Sequence, residues 1–365
     1  MLSLLLTKVA MSIPRYTGME PIPASSLAHA PAIPKTPPGL GSILGDVGVR
    51  ISLVALGMAA ILSVLCFPYS TDAPLTAREQ ADLWKFYAAA YQQPTDTSDD
   101  SEYTKIAKEA ADKVDVTGAM ADFVSAFGLT NKKVLDIGAG RGYLQDVVAD
   151  YTALDISPSV KRFFHKPFVL ASATLMPFAA DQFDAAWSVF VLEHVPNPEA
   201  ALVETRRVVK DGGLLYLAPA WDCKPWLANG YPVRPFSDFS LGGKLLKASI
   251  PTQVYFWNLS KAPIRLLLYT SWKTAGGGPT KLRYRRLTAN YDHYWMPDSD
   301  ALNQLDRYET ALWFMSRGDE CLNCQGALHG WFQENDQLII RIHKHAEPVS
   351  REAKASPAGP PTLNP

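Results

Sequence analysis

"VLDIGAGRGYLQDVVADYTALDIS", residues 134–157, is the stretch on which the fold turns. An apolar run from Val134 to Ile137 ends in glycines at alternate positions, Gly138, Gly140 and Gly142. A second apolar run follows and ends in an acid, Asp155, nineteen residues after Asp136. A strand that leaves its sheet here must turn sharply, and glycine accepts positive φ and puts no side chain in the way. Bare backbone at the carboxyl edge of a parallel sheet is where ligands bind in open α/β folds. Asp155, closing the second strand, can accept hydrogen bonds from both hydroxyls of a ribose. A plainer reading stands beside each: the glycines only make a tight turn, and Asp155 only caps the segment that opens with Ser157 and Pro158.

The spacing is G-x-G-x-G, whereas the dinucleotide fingerprint is G-x-G-x-x-G with a pyrophosphate on the helix amino-terminus. Asp136 beside the loop would repel a pyrophosphate and suits an ammonium group. A ligand with a ribose at one end and an ammonium at the other is not a dinucleotide, which argues against a dehydrogenase.

Working outward, strands and helices alternate at short spacing. "KKVLDIG" reads as a strand and "GYLQDVVAD" as a helix; "YTALDIS" as a strand and "PSVKRFFH" as a helix. "FVLASA" and "FDAAWSVF" read as strands, "NPEAALVETRRVVK" as a helix, Asp211-Gly212-Gly213 as a turn and "LLYLAPA" as a strand. Such alternation implies parallel crossovers and a doubly wound α/β sheet. Residues 76–92 and 101–127 read as helices ahead of it. After Pro219 the rhythm breaks into an insert, 221–297, rich in aromatics, proline and glycine. "ALNQLDRYETALWFMSRG" then reads as helix, with "DECLN" and "DQLIIRIHK" as closing strands.

With these motifs in order, residues 133–220 resemble the class I S-adenosylmethionine-dependent methyltransferases, in the branch of small-molecule methylases of the ubiquinone-biosynthesis type. The matching stretches are "VLDIGAGRGYL", "ALDIS" and "ATLMPFAADQFDAAWSVFVLEHVPNPEAALVETRRVVKDGGLLYLAPA". The resemblance implies a mostly parallel seven-stranded sheet of Rossmann-like type, with the insert after its fifth strand, and S-adenosyl-L-methionine as cofactor. It implies that Asp136, Gly138 and Gly140 line the methionine part, that Asp155 holds the ribose and that Ile156 lies against the adenine. Many relatives place an acid five residues before the proline of an "LPF" motif. Here that proline is Pro177 and the position is Ser172, so the backbone of Ala173 is the alternative adenine contact. Phe190 and Val191 would flank the sulfonium, or else serve only as core.

Methyl transfer needs alignment and exclusion of water, and a base only where the acceptor must lose a proton. Glu193-His194 follows the fourth strand, so His194 is the candidate base; its alternative is a loop-packing histidine. Tyr143 either covers the cofactor or begins a helix. His293, within "NYDHYWMPDSDA" (290–301), is a candidate acceptor contact or part of an aromatic corner. "KLRYRR" (281–286) faces an anionic substrate or lipid headgroups, or is a solvated strand face. Cys321-x-x-Cys324 with His329, His343 and His345 nearby hints at zinc, but one cysteine pair is half a site, and the expectation is that no metal is bound.

The chain has 365 residues, with 35 basic against 36 acidic side chains, and this balance gives no support for nucleic-acid binding. Its four cysteines are too scattered for a disulfide framework and point to a reducing compartment. Residues 1–46 read as a flexible proline-rich arm and 346–365 as a disordered tail, flanking a methyltransferase domain over 76–345. From Ile51 to Phe67 no residue is charged, a run of roughly 25 Å as helix, so 47–68 is expected to be a transmembrane helix or, failing that, a buried one. A misassigned start codon would make it a signal peptide. Arg50 and Lys35 before it and Arg78 and Lys85 after it do not decide its orientation. The insert interleaves apolar and aromatic residues with Lys247, Lys261, Arg265 and Lys273, which suits either a membrane interface or a lid. The expectation is a single-pass or otherwise membrane-associated methyltransferase. Its catalytic part would face the cytoplasm, and it would act on a small-molecule or lipid-linked acceptor. The alternatives are a cytoplasmic protein and a non-catalytic scaffold that keeps the cofactor fold.

Overall fold

The computed structural model describes residues 45, 47–54, 57, 75–91, 102–291, 298–324 and 337–344. The chain divides into two compact units, Met1–Ala55 and Leu56–Pro365. In the first, Val47, Val49, Ile51, Leu53 and Val54 are exposed. Among the described residues no helix is long and apolar enough to cross a membrane. The expected spanning helix over 47–68 therefore finds no support; most of its run, from residue 58 onward, lies outside the described residues.

The second unit is built on strands β1 (Lys133–Ile137), β2 (Asp150–Asp155), β3 (Phe168–Leu170), β4 (Phe183–Val189), β5 (Val209–Ala218), β8 (Glu320–Cys321) and β9 (Leu338–Arg341). They form one seven-stranded sheet in the order β3-β2-β1-β4-β5-β9-β8. The first five pair in parallel, and β9 runs antiparallel between β5 and β8. This is the doubly wound sheet expected from the sequence. Its strand order reverses between β1 and β4, and the carboxyl ends of those two strands frame the crevice where such sheets bind ligands. Val134, Leu135, Ala185, Ala186, Leu215 and Leu217 are buried, as strands covered on both faces must be.

The crossovers differ in kind. Between β4 and β5 runs α4 (Pro198–Val208), with Pro198 in its first turn and Asn197 accepting the Ala200 N–H as cap. Ala201, Leu202, Thr205 and Val208 make its buried face. The helix expected over 142–150 is absent. Gly142 to Ala149 instead forms turns, with Gln145 N–H bonded to the Gly142 carbonyl and Val147 N–H to that of Leu144. Running back beside a five-residue strand of about 17 Å takes about eleven helical residues, more than the glycine loop leaves. The next crossover is likewise a short 3-10 helix, Pro158–Phe163.

Three helices precede the sheet: α1 (Ala77–Ala90), α2 (Glu102–Lys113) and α3 (Val116–Ala126). Thr76 and Glu79 form a reciprocal capping box that starts α1. Within the insert stands one long helix, α5 (Leu241–Thr274), followed by β6 (Tyr284–Arg286) and β7 (Asn303–Leu305), which pair as a separate antiparallel ribbon. A final helix, α6 (Arg307–Met315), packs Ala311, Leu312, Trp313 and Phe314 into the core. Its cap, Asp306, accepts the Tyr308 and Glu309 N–H groups and also pairs with Arg265 of α5, both side chains being fully buried.

Two sequence expectations need correcting here. Cys321 and Cys324 form a disulfide, against the expectation of cysteines too scattered to pair; the hint of zinc falls with it, and His329 and His345 lie outside the described residues. Within "KLRYRR", Arg283 pairs with Glu309 at 2.8 Å, and Arg286 donates to Asn303 and to the Pro196 carbonyl. These two cations brace the ribbon.

Candidate active site

A cavity of about 290 Å³ opens at the carboxyl ends of β1 and β4. From the glycine loop it takes Asp136, Gly138, Ala139, Gly140 and Arg141; from beyond β4 it takes Phe190 and His194. Tyr91 and Tyr103 close it from the amino-terminal helices, and Asp298 and Asp300 from the end of the insert.

The glycine loop is bare for a geometric reason. Gly138 has φ of 75°, and a Cβ on it would stand 2.3 Å from a Val191 methyl. Gly140 has φ of 50°, with the Tyr91 hydroxyl 3.2 Å from where its Cβ would be. Asp136 is buried at the end of β1 and accepts the Tyr151 hydroxyl at 2.7 Å. Burial pushes its carboxyl up to about 7, while the hydrogen bond from Tyr151 pulls it down. A buried carboxylate of this kind gains most from a cation placed beside it.

Asp155 is 7% exposed and does not line the cavity. One of its oxygens accepts the Gly140 N–H at 2.9 Å and the other the Ser157 N–H at 2.8 Å. It braces the segment after β2 through Ser157, as the plainer reading expected, and it ties that strand to the glycine loop. Each carboxylate oxygen keeps a second acceptor site. Burial raises its pKa, opposed by these backbone donors.

The remaining expected residues are placed as follows. Ile156 packs with the cluster of Leu75, Leu83, Tyr87 and Leu302; Ser172 bonds to Thr174; and Ala173 is core. None of the three, nor Val191, lines the cavity. The cavity thus joins the loop side to the His194 side. Tyr143 lines the cavity without starting a helix. His293 lies outside the described residues.

Phe190 lines the cavity with φ of 55°, a conformation that costs a bulky residue energy and collects at functional sites. After it, Leu192–His194 forms a 3-10 turn. Glu193 is fully buried; its Oε1 accepts the Ala220 N–H at 2.9 Å, and its Oε2 has no hydrogen-bond partner. Asn303 of β7 donates to the Val195 carbonyl at 2.7 Å, and the Leu302 N–H to that of Glu193 at 2.8 Å. These bonds clamp the end of the insert onto the turn and bring Asp298 and Asp300 to His194. Donor atoms of Glu193, His194 and Asp298 all lie within 4.8 Å of one another.

Burial pushes Glu193 up to about 7, offset in part by His194. For His194 burial works downward, but Asp300, Glu193 and Asp298 outweigh it, and the imidazole is raised above its ordinary value. Asp298 is raised by burial and has φ of 65°.

Sequence reasoning missed Tyr91, Tyr103, Asp298 and Asp300. The aromatic spacing in "WKFYAAAY" and the acids in "PDSDA" were the available signals, but nothing local says that these segments meet the sheet edge.

Residues 135–217 match the family described as "Methyltransferase domain". The chain is 36% identical over 105 residues to a demethylmenaquinone methyltransferase of Renibacterium salmoninarum, covering 26% of this chain and 44% of that one. It is 32% identical over 168 residues to a ubiquinone/menaquinone biosynthesis C-methyltransferase of Sinorhizobium fredii, covering 40% and 65%. A ubiquinone biosynthesis O-methyltransferase of Xanthomonas oryzae pv. oryzae is 33% identical over 112 residues, covering 27% and 47%. The chain spans less than two thirds of each of these relatives. The glycine loop with its raised carboxyl, the acid closing β2 and the strand order all suit a ligand with an ammonium and a ribose. Residues 135–217 thus resemble the methyltransferase domain of class I, S-adenosylmethionine-dependent type.

Proposed function

We propose that this protein transfers a methyl group from S-adenosylmethionine to a small acceptor bearing a hydroxyl or amine. The observation that carries this reading is the cavity that joins the Gly138–Gly140 loop to His194. Asp136 would hold the ammonium of the cofactor and Asp155 its ribose hydroxyls, with Ile156, Ser172 and Ala173 on the adenine side. Phe190 and Val191 would flank the reacting sulfur. The cofactor supplies an activated methyl on a sulfonium. The chain's own part is to align the acceptor, exclude water with Tyr91 and Tyr103, and take the acceptor's proton on His194.

The acceptor in this proposal is hydrophobic or lipid-linked. The relatives named for ubiquinone and menaquinone biosynthesis support it. So do the exposed Leu241, Leu245 and Leu246 of α5, which lie beside the exposed Lys244. Exposed apolar residues flanked by a cation suit an anionic membrane surface. Because the cofactor is made in the cytosol, the domain would work on that side.

The test is a labelled-methyl transfer assay on host extract split into lipid, small-molecule and protein fractions, together with calorimetry using S-adenosylmethionine and S-adenosylhomocysteine. Label in the lipid or small-molecule fraction is expected. Cofactor uptake with no transfer to any fraction would favour a binding or scaffold protein, and no uptake would end the proposal.

A further inference from the structure

Asp300 and Tyr87 lie outside every motif of the domain, yet they converge on His194. The Tyr87 hydroxyl of α1 donates to Asp300 Oδ2 at 2.9 Å. The same oxygen stands 3.5 Å from His194 Nδ1, a buried nitrogen with no hydrogen-bond partner of its own. The Tyr87 and His194 rings meet edge to face, with centroids 6.1 Å apart. Asp300 is 1% exposed, so its charge acts on the imidazole with little screening by water.

We propose that Asp300, held by Tyr87, is a positioning residue that orients His194 and strengthens it as a proton acceptor, so that the end of the insert governs acceptor deprotonation. This rests on the methyl-transfer reading of the cavity. In the step, the acceptor O–H or N–H proton passes to the His194 imidazole, and the freed lone pair bonds to the methyl carbon. The carbon–sulfur bond breaks with its electrons left on sulfur, giving a neutral thioether. The imidazolium that forms is stabilised by the Asp300 carboxylate.

Other groups bear on His194 from each element around it. Glu193 approaches from the turn after β4, with Oε1 3.8 Å from Nε2, and Asp298 from the end of the insert. The phenols of Tyr91, Tyr103 and Tyr291 lie within electrostatic reach of Asp300. Arg141 and Lys108 line the same cavity. Among these, Asp300 and Tyr87 form the pair in which two isosteric changes should act in opposite directions. Asp300→Asn removes the charge that favours the imidazolium. Tyr87→Phe removes a donor that partly neutralises that charge.

The experiment is a carbon-13 histidine NMR titration of the full chain, with the His194 resonance identified by its loss in His194→Asn. The wild-type midpoint is expected above that of free imidazole. Asp300→Asn should lower it, and Tyr87→Phe should raise it, each by about half a unit or more. Midpoints that stay put, or move the same way in both variants of intact circular dichroism, would overturn the proposal. If Asp300→Asn fails to fold, the direction of the Tyr87→Phe shift decides. Calorimetry with S-adenosylhomocysteine on the same samples reports separately on the methyl-transfer reading, because cofactor uptake does not depend on this shift.

Discussion

Gly138 has no room for a side chain. Its φ is positive and Val191 occupies the space a Cβ would take. Gly138→Ala should therefore cost roughly 1–2 kcal/mol from backbone conformation alone, and further through displacement of Val191. Val191→Ala, which relieves only the clash, should recover part of the loss in chemical denaturation. Asp155→Ala removes a carboxylate that both braces Gly140 and would hold the ribose. Affinity for S-adenosylhomocysteine should fall about tenfold or more, since a charge-assisted hydrogen bond is worth about 1.5–3 kcal/mol; unchanged affinity by calorimetry would rule the role out. Asp136 carries a pH signature. Its folded pKa, about 7, lies above the ordinary value. Ionising it therefore costs the ligand-free fold stability as pH rises from about 4 toward about 7, and below that window the cost is absent. The melting temperature should fall across the window relative to Asp136→Asn. Cofactor affinity should rise over the same interval, because the ionised carboxylate is the form that attracts an ammonium.

At the scale of elements, short segments join distant parts of the chain. Asp306 caps α6 and pairs with Arg265 of α5, in a site closed to water. Breaking a buried pair from one side leaves an uncompensated charge, so Arg265→Ala should lower unfolding free energy by about 3–5 kcal/mol. Denaturant titration of the two variants would show Asp306→Ala to be the costlier, since it also removes the cap. The crossover after β1 shows how far a local pattern reaches. Its apolar spacing suited a helix, but the path back to β2 is set by the strand it must run alongside, and turns cover that distance with fewer residues. The α4 crossover met its expectation because Asn197, Pro198 and the apolar face at 201, 202, 205 and 208 all agree with one another.

Across the whole molecule, the cavity needs contributions from residues 91 to 300, all within the unit Leu56–Pro365. Deleting residues 1–68 should leave S-adenosylhomocysteine affinity unchanged within about twofold, because among the described residues none that lines the cavity comes from that segment. The same deletion should move a tagged chain out of the membrane fraction if the proposed membrane contact depends on it. A full-length chain found wholly in the soluble fraction would refute the membrane part of the proposal and leave the methyl-transfer part standing.

The two strands of residues 134–157 and the bare turn after the first were legible in the sequence, because hydrophobic period, alternate glycines and strand-ending acids act over a few neighbouring positions. A ligand with an ammonium and a ribose was legible too, from Asp136 and Asp155 at the ends of adjacent strands, whereas the cofactor itself was implied by the resemblance of residues 133–220. Tyr87, Tyr91, Asp298 and Asp300 were not legible. They reach the site only when α1 and the end of the insert fold back over the sheet, through contacts such as Asn303 to the turn at 192–195. Burial and charge around His194 are likewise products of that closure. A side chain's proton affinity depends on which groups surround it in space, and no spacing along the chain encodes that.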